Sequence, residues 1–284
     1  MRLFTLLPRP AQVVCFAVAL TAVLSATGRG ATLYSLDVSQ DATSDFRLAQ
    51  IGNNIGGQGD QAHQNFTHNA SDSALELTGR YNQDRTVVLD VPLDTPPSGW
   101  LPGYIAGDVA VAMTFGYANA SGASNSDVIL SLRQAVGNTS SGAGFNTYPN
   151  YFVRLLDNET FTLNRYSGYS TIVELASQSI SGLSGSSSYD LTFSAIDDGG
   201  SVVLTAELFE DGSSRSKLSF TDSSPIAGGY VGIGGGQGSV NNGTFEGILV
   251  SGFDVSTVAA VPEPASLGLL LAAAAMACVC RRRW

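Results

Sequence analysis

Short runs in which every second residue is apolar constrain this chain more than any other feature. Over residues 108–115, Val109, Val111, Met113 and Phe115 share one face, with Ala110, Ala112 and Thr114 on the other. Residues 189–196 align Leu191, Phe193 and Ala195, and Val202, Leu204, Ala206 and Leu208 form a third apolar row. A strand turns successive side chains to opposite faces, so this alternation specifies strands with one buried face. Further strands are predicted near 74–78, 86–91, 127–134, 151–156, 161–166, 172–176, 215–220, 229–234 and 244–255.

The connectors carry turn chemistry: Asp157-Asn158, Asp197-Asp198-Gly199-Gly200, Asp211-Gly212 and Asn241-Asn242-Gly243. Asp-Gly and Asn-Gly supply the positive φ angles of tight hairpins. No stretch of the body holds a 3.6-residue apolar period over eleven residues. The expectation is an all-β fold, a two-sheet antiparallel sandwich. Residues 38–73 carry the weakest pattern, with Gly52, Gly56, Gly57 and Gly59 among many Asn, Gln and Asp. They read as a long surface loop, or as a strand around 45–51 followed by a loop.

Both ends differ from this body. Arg2 and Arg9 precede an apolar run over 11–24, followed by Ser25, Ala26, Gly28, Gly30 and Ala31. That order of charged, apolar and small residues is a secretory signal peptide cut between Ala26 and Ala31. The other end runs Val261, Pro262, Glu263, Pro264, an uncharged apolar stretch over 265–280, then Arg281, Arg282, Arg283 and Trp284. Sixteen helical residues span only about 24 Å, against roughly 30 Å of bilayer hydrocarbon. Pro264 suits the start of such a helix, and the three arginines favour the cytoplasmic side.

This tail resembles the PEP-CTERM sorting signal, also labelled an ice-binding protein C-terminal domain, part by part and in order. An ordinary membrane anchor explains the helix and arginines but leaves Pro262-Glu263-Pro264 without a role. The resemblance implies an exported envelope protein that resides in the inner membrane at least transiently. An exosortase-type membrane protease would recognise its tail and cut it near 262–264. The expected organisation is a signal peptide over 1–30, a β-sandwich over 31–258 and a sorting signal over 259–284, with its transmembrane helix at 265–280.

The body's second half resembles the concanavalin A-like, laminin-G-like jelly roll. The residues that carry this are the strands at 152–156 and 161–166, Tyr189-x-Leu191-x-Phe193, and the hairpin Glu210-Asp211-Gly212. The link Asp222-Ser223-Ser224-Pro225, the strand at 229–233 and the closing strand at 245–255 complete it. The resemblance implies a jelly-roll sandwich, with residues 32–137 supplying its remaining strands.

Composition excludes several chemistries. Cys15, Cys278 and Cys280 all lie in the terminal segments, so the body has no disulfide, thiolate metal site or cysteine nucleophile. Residues 31–260 hold 23 carboxylates against 8 bases, a net of −15. Nucleic acid needs clustered cations, and none occur here. His63 and His68 sit five apart in the polar stretch and read as solvated. Gly182-Leu183-Ser184-Gly185 misses the spacing of a nucleophile elbow and reads as a flexible connector. The glycines over 232–238 lack the lysine and following helix of a phosphate loop.

Retaining jelly-roll glycosidases need two carboxylates on one strand face, whereas Glu207 and Glu210 fall on opposite faces. Trp100 is the one tryptophan outside the tail, too few for a ring-lined sugar cleft. The body is therefore expected to be non-catalytic and to have no cofactor. Its sugar-binding candidates are Asn146, Tyr148, Asn150, Tyr151, Arg165, Tyr166 and Tyr169, rings and polar groups of the kind that hold hydroxyls. Sheet-surface tyrosines beside a turn are the plainer account of the same residues. For calcium, the oxygen-bearing turns are Asp197 with Asp198 and Asp157 with Asn158. The function expected is an exported surface or matrix protein associated with exopolysaccharide. The alternatives are a secreted polysaccharide-active enzyme, a glycoside hydrolase or lyase on the same fold, and a purely structural surface component.

Overall fold

The structure of the chain is a computed structural model. It describes residues 30–48, 65–80, 85–93, 98, 102–118, 126–135, 149–156, 160–167, 171–237 and 244–258. Within these, Thr32–Thr257 forms one compact unit. The strands are β1 (Thr32–Ser35), β2 (Phe46–Leu48), β3 (Asn65–Asn69), β4 (Ala74–Arg80), β5 (Arg85–Leu89), β6 (Val109–Tyr117), β7 (Ser126–Gln134) and β8 (Asn150–Leu156). They continue with β9 (Thr160–Tyr166), β10 (Ile172–Ser179), β11 (Tyr189–Asp198), β12 (Ser201–Glu210), β13 (Ser213–Asp222), β14 (Tyr230–Gln237) and β15 (Thr244–Thr257). A single 3-10 turn, Thr43–Asp45, precedes β2.

The first sheet has eight strands in the order β13-β12-β11-β6-β15-β4-β3, with β1 also paired to β15. The second has seven, in the order β10-β9-β8-β7-β14-β5-β2. All the pairings are antiparallel. The chain thus adopts the all-β, two-sheet jelly-roll sandwich expected from its sequence.

The alternating rows explain why the sheets face each other. Val109, Val111, Met113 and Phe115 of β6 lie in the interior with Leu191 and Phe193 of β11 and Leu204 and Leu208 of β12. The second sheet meets them with Val128, Leu130 and Leu132 of β7, Tyr151, Val153 and Leu155 of β8, and Phe161 and Leu163 of β9. Burying such side chains stabilises by about 1.5–3 kcal/mol each relative to exposure. The hairpin turns follow the expected chemistry: Gly199 and Gly200 have φ of 56° and 100°, Asp211 and Gly212 of 48° and 77°. Both two-residue turns therefore take the left-handed conformation that matches the twist of their strands.

Three readings of the sequence change. In the polar stretch over 38–73, β2 falls within the strand around 45–51 that was one of its two readings, and β3 comes in addition. Strand β3 escapes an apolar pattern because it pairs with β4 alone, at the end of the sheet, and contributes only Phe66 to the core. The 180–188 connector is pinned rather than flexible. Ile180 and Leu183 are buried, and the Ser184 N–H donates to Glu210 Oε1 at 3.2 Å. His68 lies on β3 and sits 3.1 Å from the Val38 carbonyl through Nε2, so it is not a freely solvated loop residue.

Candidate functional site

Pleating divides the sugar-binding candidates between the two faces of the second sheet. Tyr151 and Arg165 turn inward and converge on Asp222. The Tyr151 hydroxyl donates to Asp222 Oδ2 at 2.6 Å and accepts from the Ile226 N–H at 3.0 Å. Arg165 Nη1 lies 3.0 Å from the same carboxylate, and the Ser224 N–H donates to its other oxygen at 2.9 Å. Burial, reinforced by the bond to Asp222, pushes the Tyr151 phenol up to about 12. This network ties the link after β13 to the second sheet. Tyr151 is fully buried, so it offers no ring face to a sugar, and that expectation is corrected.

Asn150 and Tyr166 lie on the opposite face, where Tyr166 stacks on Phe152 with centroids 5.0 Å apart and an interplanar angle of 21°. At 4% exposure the Tyr166 ring is a packing group rather than an open platform. Asn146, Tyr148, Tyr169, Asp157, Asn158, the motif Val261, Pro262, Glu263 and Pro264, and Arg281, Arg282 and Arg283 lie outside the described residues.

That second face is the site the sequence did not announce. Cross-strand register aligns Asn164, Phe152, Ser131, Gly232, Val88 and Arg47 in one row over six strands. A neighbouring row runs Thr162, Arg154, Ile129 and Gly234. Two apolar clusters sit here, Ile129–Phe152–Tyr166 and Val88–Tyr104–Tyr230. Between and around them are polar groups withdrawn from water. Asn164 Nδ2 donates to Thr162 Oγ1 at 2.7 Å, Ser131 Oγ to Gln134 Oε1 at 3.1 Å, and Arg154 Nε to the buried Asp127 at 3.0 Å. Gly232 keeps the row low, because a Cβ there would meet Ser131 Oγ and the Val87 carbonyl at 2.8 Å. Rings, an amide, hydroxyls and Arg–Asp pairs on one sheet face are the groups that recognise a hydroxylated ligand.

The carboxylates proposed for other chemistry are held apart. Glu207 faces outward, with Ser214 Oγ at 2.8 Å and Lys217 Nζ at 3.2 Å. The Ser214 hydroxyl first, then Lys217, hold it below the ordinary carboxylate range. Glu210 turns the other way and accepts from the Tyr189 hydroxyl at 2.9 Å. Burial raises its carboxyl, but the Ser184 N–H and Tyr189 hydroxyl outweigh that and lower it. Asp197 is committed to Arg133, whose Nη1 sits 2.9 Å from Oδ1, and the Asp198 carbonyl accepts from Ser201 Oγ at 2.7 Å. In that turn the Asp197 carboxylate is paired with the Arg133 guanidinium. Among the described residues no three His, Cys, Asp or Glu side chains gather as a metal-ligand set. Among them, too, no helix is long and apolar enough to cross a membrane.

Residues 260–283 match the PEP-CTERM protein-sorting motif. No curated protein matches the chain. Among solved structures, the chain is similar to the CBM2 module of an evolved Dit protein from Lactobacillus casei BL23 phage J-1, at 12% identity and a TM-score of 0.49 over 82% of this chain and 98% of that one. It is similar to the carbohydrate recognition domain of Emp46p at 12% identity and a TM-score of 0.46, over 79% and 95% of the two chains. Lectin II from Ulex europaeus gives 11% identity and a TM-score of 0.46 over 80% and 98%. At these identities and scores no property of those proteins passes to this chain.

Proposed function

We propose that this is an exported surface or matrix protein, sorted by an exosortase-type system, whose sandwich serves as a non-catalytic polysaccharide-binding module. The sorting half rests on the match at 260–283, which implies a membrane-anchored precursor sent to the cell surface. Replacing Pro262, Glu263 and Pro264 by alanine is expected to leave unprocessed protein in the inner membrane. Release of that variant like wild type, seen by fractionation, sinks the sorting reading.

The observation that carries the binding half is the composition of the second sheet's far face. A face built for packing alone is apolar, because each buried polar group must find a partner. This one holds Asp127, Ser131, Gln134, Thr162 and Asn164 beside stacked rings. Divergence of Glu207 and Glu210 supports a binding rather than a cleaving role, since hydrolysis needs two carboxylates across one bond. A glycan-array screen with a reducing-sugar assay on the full chain tests this. Binding without turnover is expected; turnover that disappears in Glu207→Gln or Glu210→Gln makes the protein an enzyme instead. The burial of the same face favours a second reading, a ligand-free structural component of the envelope. In that case neither glycans nor calcium shift the thermal melt.

A further inference from the structure

The chain enters and leaves the sandwich at one corner. Strand β1 starts at Thr32, whose Cα partner is Ser256, one residue before the end of β15. Such partners in an antiparallel pair stand about 5 Å apart. The segments before Thr32 and after Thr257 therefore join the body side by side. Beyond Thr257 only Val258, Ala259, Ala260 and Val261 precede Pro262. Five Cα steps from Thr257 to Pro262 reach at most about 18 Å, and the eight to Ala265 at most about 29 Å.

Fraying of the last strand does not readily lengthen that spacer. Thr257 pairs with Val109 of β6, and Ser256 is flanked by Ala110 on one side and Thr32 on the other. The Leu36 N–H donates to the Phe253 carbonyl at 2.9 Å. The Tyr34 ring packs edge-on to Phe253 at 6.3 Å, and its hydroxyl donates to Asp45 Oδ2 at 2.8 Å. Phe253 and Val255 are buried in the core. Peeling β15 back past Val255 exposes that side chain, which by itself lowers the opened population about tenfold or more. Strand β15 also lies inside the first sheet, with β6, β11, β12 and β13 on one side and β4 and β3 on the other. At about 4.8 Å per strand, the sheet extends roughly 20 Å and 10 Å to either side of the strand that the tail continues.

We propose that the tail-cutting membrane protease acts on the folded sandwich, at the corner built by β1 and β15, and that residues 258–261 are a spacer whose length lets the motif reach it. This rests on the sorting reading above and names what governs cutting at that site. A protease takes its substrate as free chain, and residues paired in a sheet must first open. Each residue between Thr257 and the motif therefore counts. With a shorter spacer the cut waits on the opening of β15, and its rate follows the population of the opened strand end. In a chain cut before it folds, neither spacer length nor strand pairing matters.

The test follows tail removal from the full-length chain by pulse-chase and fractionation in cells that carry an exosortase-type protease. Deleting Val258, Ala259 and Ala260 brings Pro262 within about 7 Å of Thr257. Cutting of this shortened chain is expected to slow at least about tenfold, the factor set by exposing Val255. Val258→Gly, Ala259→Ser and Ala260→Gly together keep the length and should be cut at the wild-type rate. Val255→Ala loosens the strand end, so it should speed cutting of the shortened chain and leave cutting of the full-length spacer unchanged. Three results each overturn the inference: a shortened chain cut as fast as wild type, a length-preserving variant as slow as the deletion, or a shortened chain indifferent to Val255→Ala. If the wild type itself keeps its tail, the sorting reading fails and this inference with it. If wild type and shortened chain are cut alike, this inference alone fails.

Discussion

The two sheets share an interior and differ in what lies on their far sides. Across the first sheet one far-side row runs Ser219, Thr205, Ser194, Ala110, Ser256 and Thr32. These residues are half-buried or exposed, as on any solvated sheet face. Across the second sheet the row Asn164, Phe152, Ser131, Gly232, Val88 and Arg47 is withdrawn from water along most of its length. Antiparallel sheets commonly keep one wet face, so a second buried face records an added demand on the sequence. In the first sheet small hydroxyls suffice because water completes their bonding. In the second, polar groups have to be matched inside the protein, as the pairs Asn164–Thr162, Ser131–Gln134 and Arg154–Asp127 are.

The largest effect separating the two faces is expected at Phe152. Phe152→Ala empties the stacked pair with Tyr166 and is expected to cost about 3–5 kcal/mol, the range for core aromatic truncations. Phe193→Ala, in the shared interior, should cost as much. Ser194→Ala on the first sheet's far side should stay within about 0.5 kcal/mol, as surface substitutions do. Chemical denaturation of the full chain compares the three. A Phe152→Ala cost as small as that of Ser194→Ala would mean that the second face is not a core, and the contrast would collapse.

That contrast also explains what could be read in advance. Strands β6, β11 and β12 were legible because one wet face leaves a clean period of two, visible as Val109, Val111 and Met113 against Ala110 and Ala112. Strand β7 is buried on both faces, so Val128, Ile129 and Leu130 follow one another and the facing of Ile129 cannot be told from sequence. The tyrosine cluster over 146–169 looked like one site because its members are near in sequence. Alternation places Tyr151 inside and Tyr166 outside, a separation that only the pairing of β8 with β9 fixes. Strand β3 was hidden by its polar composition, since a strand at the end of a sheet with one packed residue needs no apolar row. The contacts of Arg47 with Asp90 and Tyr230 had no sequence signal at all, because these partners come from distant parts of the chain.

A middle-sized effect is expected where the interior binds a polar network. Tyr151→Phe removes the hydroxyl that serves both Asp222 and the Ile226 N–H, at a cost of about 1–3 kcal/mol for the partners left unmade. Burial first, and Asp222 second, raise this phenol from its ordinary 10.0 to about 12. A raised folded value means that the contribution is complete below pH 10 and is lost as pH climbs toward 12. Wild type should therefore lose its advantage over Tyr151→Phe across that interval in alkaline unfolding. A constant difference through the interval would show that the hydroxyl's bonds do not stabilise the fold.

The smallest contrast lies within a single strand. Glu207 and Glu210 stand three residues apart on β12, one toward solvent and one toward the 180–188 connector. Both carboxyls are lowered below their ordinary 4.5 in the fold. A depressed folded value gives stability that is present above the ordinary value and lost as pH falls through the folded one. Glu207→Gln and Glu210→Gln should therefore differ from wild type at neutral pH and converge with it in acid. Salt tells them apart. Glu207 acts through the Ser214 hydroxyl and then an exposed lysine, and the lysine's share, under about 1 kcal/mol to begin with, should fade at high ionic strength. Glu210 acts chiefly through the Ser184 N–H and the Tyr189 hydroxyl, neutral donors at close range that salt does not screen, and only then through Arg215 at 3.4 Å. Its effect should persist at high salt. Equal salt sensitivity of the two would break the distinction between a carboxylate that decorates the first sheet and one that fastens the connector beside it.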